Sequence, residues 1–70
     1  MQELHSPLHA QLVQWQVAPG DTVAAGDVLL ILEAMKMEHT ISAPADGQVA
    51  ELLYAPGDQV AEGAELLKLG

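Results

Sequence analysis

Leu32-Glu33-Ala34-Met35-Lys36-Met37-Glu38 is the stretch whose reading separates two folds. Nearly every residue in it is a good helix former. Glu33 and Lys36 stand three apart, the spacing of a helical ion pair. Read alone, it is a short helix. Seven residues make fewer than two turns, however, which is marginal in water without strong packing. The neighbouring sequence decides against it. Leu29 to Leu32 matches Leu66 to Leu69, and only Gly70 follows the second copy. No helix fits there, so both copies are read as strands.

The match extends through the chain. Val17 to Leu32 superimposes on Tyr54 to Leu69 at an offset of 37 residues, with 10 of 16 positions identical. The same offset pairs Pro7 with Pro44, Gln11 with Gln48, Leu12 with Val49 and Trp15 with Leu52. Residues 1–70 therefore form one domain made of two copies of one unit. Pro-Gly-Asp at 19–21 and 56–58 is turn chemistry, because Pro fixes φ and Gly accepts positive φ. Gly26 and Gly63 mark a second turn in each copy. Leu12 to Val17 carries a strand's alternation over its last five residues. Two copies are too few for a solenoid. They are expected to clasp each other in an all-β, pseudo-twofold sandwich or flattened barrel, each half four-stranded. The expected core is Leu12, Trp15, Val17, Val23, Leu30, Leu32, Ile41, Val49, Leu52, Val60, Leu67 and Leu69.

In such a fold the chain must reverse near Lys36 to begin the second copy. A tight reversal without Gly, Asn or Asp holds ordinary residues at positive φ, at a cost of about 1–3 kcal/mol. Local rules tend to break at functional sites. The misfit therefore marks residues 35–37.

Composition narrows the function. The net charge is −8, with two lysines, no arginine and ten carboxylates. Nucleic acids and anionic membranes are bound by clusters of Lys and Arg, so neither is an expected partner. No apolar run approaches the roughly 20 residues of a spanning helix. No signal or transit pattern opens the chain, and there is no cysteine. A cytoplasmic setting is expected, or the mitochondrial matrix for a eukaryotic parent. The acidic face is expected to steer the domain towards basic rims on its partners.

Glu33-Ala34-Met35-Lys36-Met37-Glu38-His39, then Ala43-Pro44-Ala45-Asp46-Gly47, with the paired Gly-Asp-x-Val-x-x-Gly turns, resembles the biotinyl/lipoyl attachment domains. The resemblance is closest to the biotin carboxyl carrier domains of biotin-dependent carboxylases, and it spans almost the whole chain. It implies a flattened, hammerhead-like eight-stranded barrel with Lys36 on an exposed hairpin turn. It implies covalent biotin on Lys36, attached by a biotin protein ligase that reads Glu33, Ala34, Met35 and Met37 as flanking residues. The biotin would carry carboxyl groups between a biotin carboxylase and a carboxyltransferase. The projecting thumb of bacterial acetyl-CoA carboxylase carriers would need an insertion, and the uninterrupted repeat has none. That leans towards a propionyl-, methylcrotonyl- or pyruvate-carboxylase type of parent. One departure is local. The family often has Met-Pro-Gly after the first Ser/Ala-Pro, whereas here Ala10 stands where Gly47 stands in the second copy. Positive φ at that position would strain an alanine.

The residues themselves argue for an acceptor and against a catalyst. A catalytic lysine needs burial or a neighbouring cation to lose its proton. Lys36 is flanked by Glu33 and Glu38 in an acidic chain, which favours the ammonium form. An outside enzyme must supply an activated acyl group. His5, His9 and His39 have no second ligand type clustered with them, so no metal is expected. No Ser/His/Asp set or phosphate loop marks an active site. Two other readings remain at this stage. One is a lipoyl carrier of a 2-oxo acid dehydrogenase, although those typically read Asp-Lys-Ala where this chain reads Met-Lys-Met. The other is an unmodified interaction module of the same fold.

Overall fold

Four type II turns organise the chain, and each is locked by the opposite repeat. The computed structural model describes residues 2–70. Gly20, Gly26, Gly57 and Gly63 sit at φ between 85° and 96°, the third position of each turn. Each turn closes with an N–H donated back across it, as from Asp21 to Ala18 O and from Asp58 to Ala55 O, both 3.0 Å. In three of the four an aspartate carboxylate also accepts from the first residue's N–H. Asp21 takes Ala18, Asp27 takes Ala24 and Asp58 takes Ala55, each at 2.9 Å. The fourth turn has Ala64 in the aspartate position.

The turns also tie the repeats together. Gly20 N–H donates to Val49 O and Gly57 N–H to Leu12 O. Gly26 donates to Ala43 O and Gly63 to Ser6 O, all at 2.8 Å. Return bonds run from Val49 to Asp21 O, Leu12 to Asp58 O, Ala43 to Asp27 O and Ser6 to Ala64 O. Each repeat thus satisfies backbone groups that the other would otherwise bury without partners.

Eight strands lie between the turns: β1 Gln2–His5, β2 Ala10–Trp15, β3 Thr22–Val23, β4 Val28–Ala34, β5 Met37–Ser42, β6 Gly47–Leu52, β7 Gln59–Val60 and β8 Glu65–Leu69. They form two four-stranded sheets with orders β1-β8-β6-β3 and β5-β4-β2-β7. Advancing every strand by four converts one order into the other, which is the expected twofold. The sheets do not coincide with the repeats, because each takes two strands from each copy. All pairings are antiparallel. The molecule measures 30 × 18 × 17 Å. Six residues join β2 to β3 and six join β6 to β7, so there is no thumb.

The core departs from simple alternation. Leu29 and Leu30 are both fully buried, as are Leu66 and Leu67. A bulge explains each pair. The β4–β5 register runs from Val28↔Ser42 to Leu30↔Ile41 and passes over Leu29. The β1–β8 register passes over Leu66 in the same way. The extra residue lets two neighbours point inward. Leu29 and Leu66 therefore join the expected core. Trp15, Val17, Ile41 and Leu52 are corrected to its half-buried rim. Trp15 stays at the rim with its indole N–H donating to Tyr54 O at 2.8 Å.

Neither Ala10 nor Gly47 has positive φ, so the alanine is unstrained. Gly47 answers a different demand. A Cβ there would meet Gly70 O at 3.1 Å. Ser6 is buried, and its hydroxyl donates to Leu8 O at 2.6 Å.

Candidate functional site

The β4–β5 ladder runs unbroken from Leu30↔Ile41 to Ala34↔Met37. Only two residues are left to reverse the chain. Met35 has φ 54° and Lys36 φ 63°. Two positive φ values in a two-residue loop are the signature of a type I′ turn, which matches the twist of the strands it joins. Such turns favour Asn and Gly. Here the ladder forces Met and Lys into those angles, and no helix crosses the junction. The two are the only non-glycine residues at positive φ among the described residues.

The side chains follow from that backbone. Lys36 is exposed at the tip. Met35 is 94% exposed and Met37 62%. Nothing among the described residues buries either side chain. Met35 belongs to the turn and Met37 opens β5. Glu33 and Glu38 stand directly opposite each other and both are exposed. Like charges in that position are destabilising. Ala34, half-buried, seats the turn on the core.

The register extends the site sideways. Gln11 of β2 pairs with Glu33 on one side and with Gln59 of β7 on the other. A cleft of about 310 Å³ beside the turn is lined by His9, Ala10, Gln11, Glu33, Ala34, Met35 and Gln59. His9, Gln11 and Gln59 were not expected from sequence. The signal lay in the strand register, which the repeat alone does not specify. Two larger clefts, of about 500 and 580 Å³, meet around Thr22, Val23 and Asp27, and neither includes a residue of the turn. His39 is half-buried opposite Leu32. No group of three potential metal ligands occurs among the described residues.

The site is a solvent-displayed primary amine between two exposed apolar side chains at the tip of a hairpin. Residues 2–69 match the family described as "Biotin-requiring enzyme", the biotin/lipoyl attachment domains. The chain belongs to this family. The carrier domain is 50% identical over 42 residues to methylcrotonoyl-CoA carboxylase subunit alpha of Rattus norvegicus, which is 60% of the chain and 6% of that relative. In structure it covers 94% of its length on the urea carboxylase of Kluyveromyces lactis, and 6% of that enzyme, at TM-score 0.89 and 35% identity. It covers 96% of the lipoyl domain of the Azotobacter vinelandii 2-oxoglutarate dehydrogenase complex over its own full length, at TM-score 0.86 and 26% identity. The chain thus spans about 6% of the first of these relatives.

Proposed function

We propose that Lys36 carries biotin and that the domain shuttles carboxyl groups between the biotin carboxylase and carboxyltransferase sites of an acyl-CoA or pyruvate-type carboxylase. The observation that carries the reading is the turn: a lysine at φ 63° between two exposed methionines, in a chain matching the biotin-requiring family. The residues present suit the group. The exposed amine Nζ is the attachment atom, and the two-residue turn keeps it clear of the sheets. When attached, biotin supplies transient carriage of a carboxyl group. A biotin protein ligase brings the activated acyl donor to the amine and removes its proton. Met35 and Met37, with Ala34 and Glu33, are the flanks that the ligase reads. Attachment cancels one positive charge and takes the net charge from −8 to −9. We place the work in the cytoplasm, or in the mitochondrial matrix of a eukaryotic parent.

Co-expression with a biotin protein ligase, read by intact mass, tests this. The parent chain and Lys68→Arg are expected to gain one biotinoyl group, and Lys36→Ala and Lys36→Arg none. Labelling of either Lys36 variant would overturn the assignment. The likeness to a lipoyl domain supports a second reading, so a parallel co-expression with a lipoate ligase belongs beside the first. Lipoyl mass in place of biotinoyl mass would reassign the cofactor and leave the acceptor residue standing.

A further inference from the structure

We propose that the cleft beside the acceptor turn is a resting site for the cyclic urea of the attached arm. The inference rests on Lys36 being the attachment residue. A cyclic urea offers two N–H donors on either side of one carbonyl acceptor. Glu33, Gln11 and Gln59 form one row across β4, β2 and β7, and all three are exposed. The Glu33 carboxylate is an acceptor for the urea N–H groups, and the Gln59 amide is a donor for its carbonyl. Gln11 Nε2 already donates to Gly57 O at 3.2 Å, which leaves its carbonyl oxygen as a second acceptor. His9 closes the rim, while Ala34 and Met35 give an apolar wall for the hydrocarbon part of the ring. Lys36 follows Met35 directly, so the arm starts at the cleft's edge.

The duplicated fold contains its own control. Applying the 37-residue offset to this cleft gives Asp46, Gly47, Gln48, Gly70 and Thr22. Those five residues line the cleft at the other end. The backbone frame therefore occurs twice, but the polar row occurs once. Gly70 stands in the place of Glu33 and Thr22 in the place of Gln59. Asp46, the counterpart of His9, is occupied as an acceptor for Ala25 N–H at 2.8 Å. The cleft next to the lysine carries Glu33 and Gln59 in one row with Gln11, where the other cleft carries Gly70 and Thr22 beside Gln48.

Weak binding is enough, and tight binding would be harmful. A short flexible tether gives an effective concentration of roughly millimolar. A cleft with millimolar intrinsic affinity is then occupied about half of the time. The arm stays available to its enzymes while resting.

The test compares three forms of the chain by NMR: unmodified, biotinylated at Lys36, and acetylated at Lys36 in the Lys68→Arg background. The acetyl form removes the same charge without supplying a ring. Biotinylation is expected to shift the side-chain amides of Gln11 and Gln59 and the His9 ring protons beyond the acetyl form, with Thr22 and Gln48 unmoved. Streptavidin capture of the arm is expected to be about twofold faster in a His9→Ala, Gln59→Ala double variant. Shifts confined to residues 34–38, or equal capture rates, would overturn the resting site while Lys36 stayed labelled. Failure of Lys36 to take biotin would overturn both readings, and intact mass tells that case apart.

Discussion

Met35 and Lys36 occupy the two left-handed positions of a turn that backbone preference would give to Asn-Gly. Ordinary residues held there cost on the order of 1–3 kcal/mol each. The same two residues form the hairpin tip, where Lys36 is exposed. Met35→Asn combined with Lys36→Gly is therefore expected to raise the unfolding free energy by about 1–2 kcal/mol while removing the acceptor. Urea unfolding and intact mass read the two outcomes separately, and a less stable double variant would show that the turn is unstrained. A second residue argues from charge. Glu65 Oε1 is enclosed without a hydrogen-bond partner. Its carboxyl is raised above the usual 4.5, first by a side-chain hydrogen bond with Glu3, then by burial and by the Glu3 charge, while Lys68 and His5 act against it. A carboxyl raised on folding stabilises the fold while protonated and loses that contribution as pH rises through its folded value. Glu65→Gln keeps a donor for Glu3 at every pH. The stability gap between the variant and the parent is expected to widen in the variant's favour from about pH 4.5 towards neutrality. Denaturation midpoints across that range check it, and a constant gap would refute it.

At the scale of the strand, the bulges carry the most weight. Leu29 and Leu66 are related by the repeat, each is passed over in its ladder, and each is fully buried. Leu66→Ala is expected to cost about 2–5 kcal/mol, the range for emptying a leucine site in a packed core. Leu29→Ala should cost a similar amount if the pseudo-twofold governs the packing. Chemical denaturation of both variants decides this, and one tolerated substitution would show that the halves pack differently. These same leucines show where reading the sequence stops. Alternation assigns one face per two residues, so Leu30 and Leu67 were legible as core and their neighbours were not. A bulge is a property of two strands paired together, and neither strand announces it alone. Turns were legible because their chemistry is local: Pro19-Gly20-Asp21 states its own φ values. The absence of a helix at Lys36 was legible only through the repeat, since helix propensity over 32–38 argued the other way. The cleft residues His9, Gln11 and Gln59 were not legible, because they meet only when β2 is laid between β4 and β7.

For the whole molecule, the acidic balance matters more than any single carboxylate. A net charge of −8 on a body 30 Å long gives a field that extends beyond contact distance. Labelling by a biotin protein ligase is expected to slow steeply as salt rises from about 0.05 to 0.5 M, where the screening length falls from about 14 to 4 Å. Initial rates over that series measure it, and a flat response would mean that the acidic face steers nothing. The interlaced sheets also imply a single cooperative unfolding step, since the turns of one repeat are tied to strands of the other.

The pairing of β8 with β1 mirrors the pairing of β4 with β5, down to Gln2 lying opposite Leu69. Across residues 2–70, the gap between Gly70 and β1 is thus the repeat counterpart of the lysine loop. Gly70 lines the same cleft as Ala24 and Asp27, at the root of the β4–β5 hairpin. The seven residues of β4, at about 3.3 Å each, put that root roughly 20 Å from the hairpin's tip. Splicing Ala-Met-Lys-Met across the gap would close the backbone into a ring of two 37-residue periods. Such a ring would display a second handle at the far pole, and one protein would serve two arms back to back.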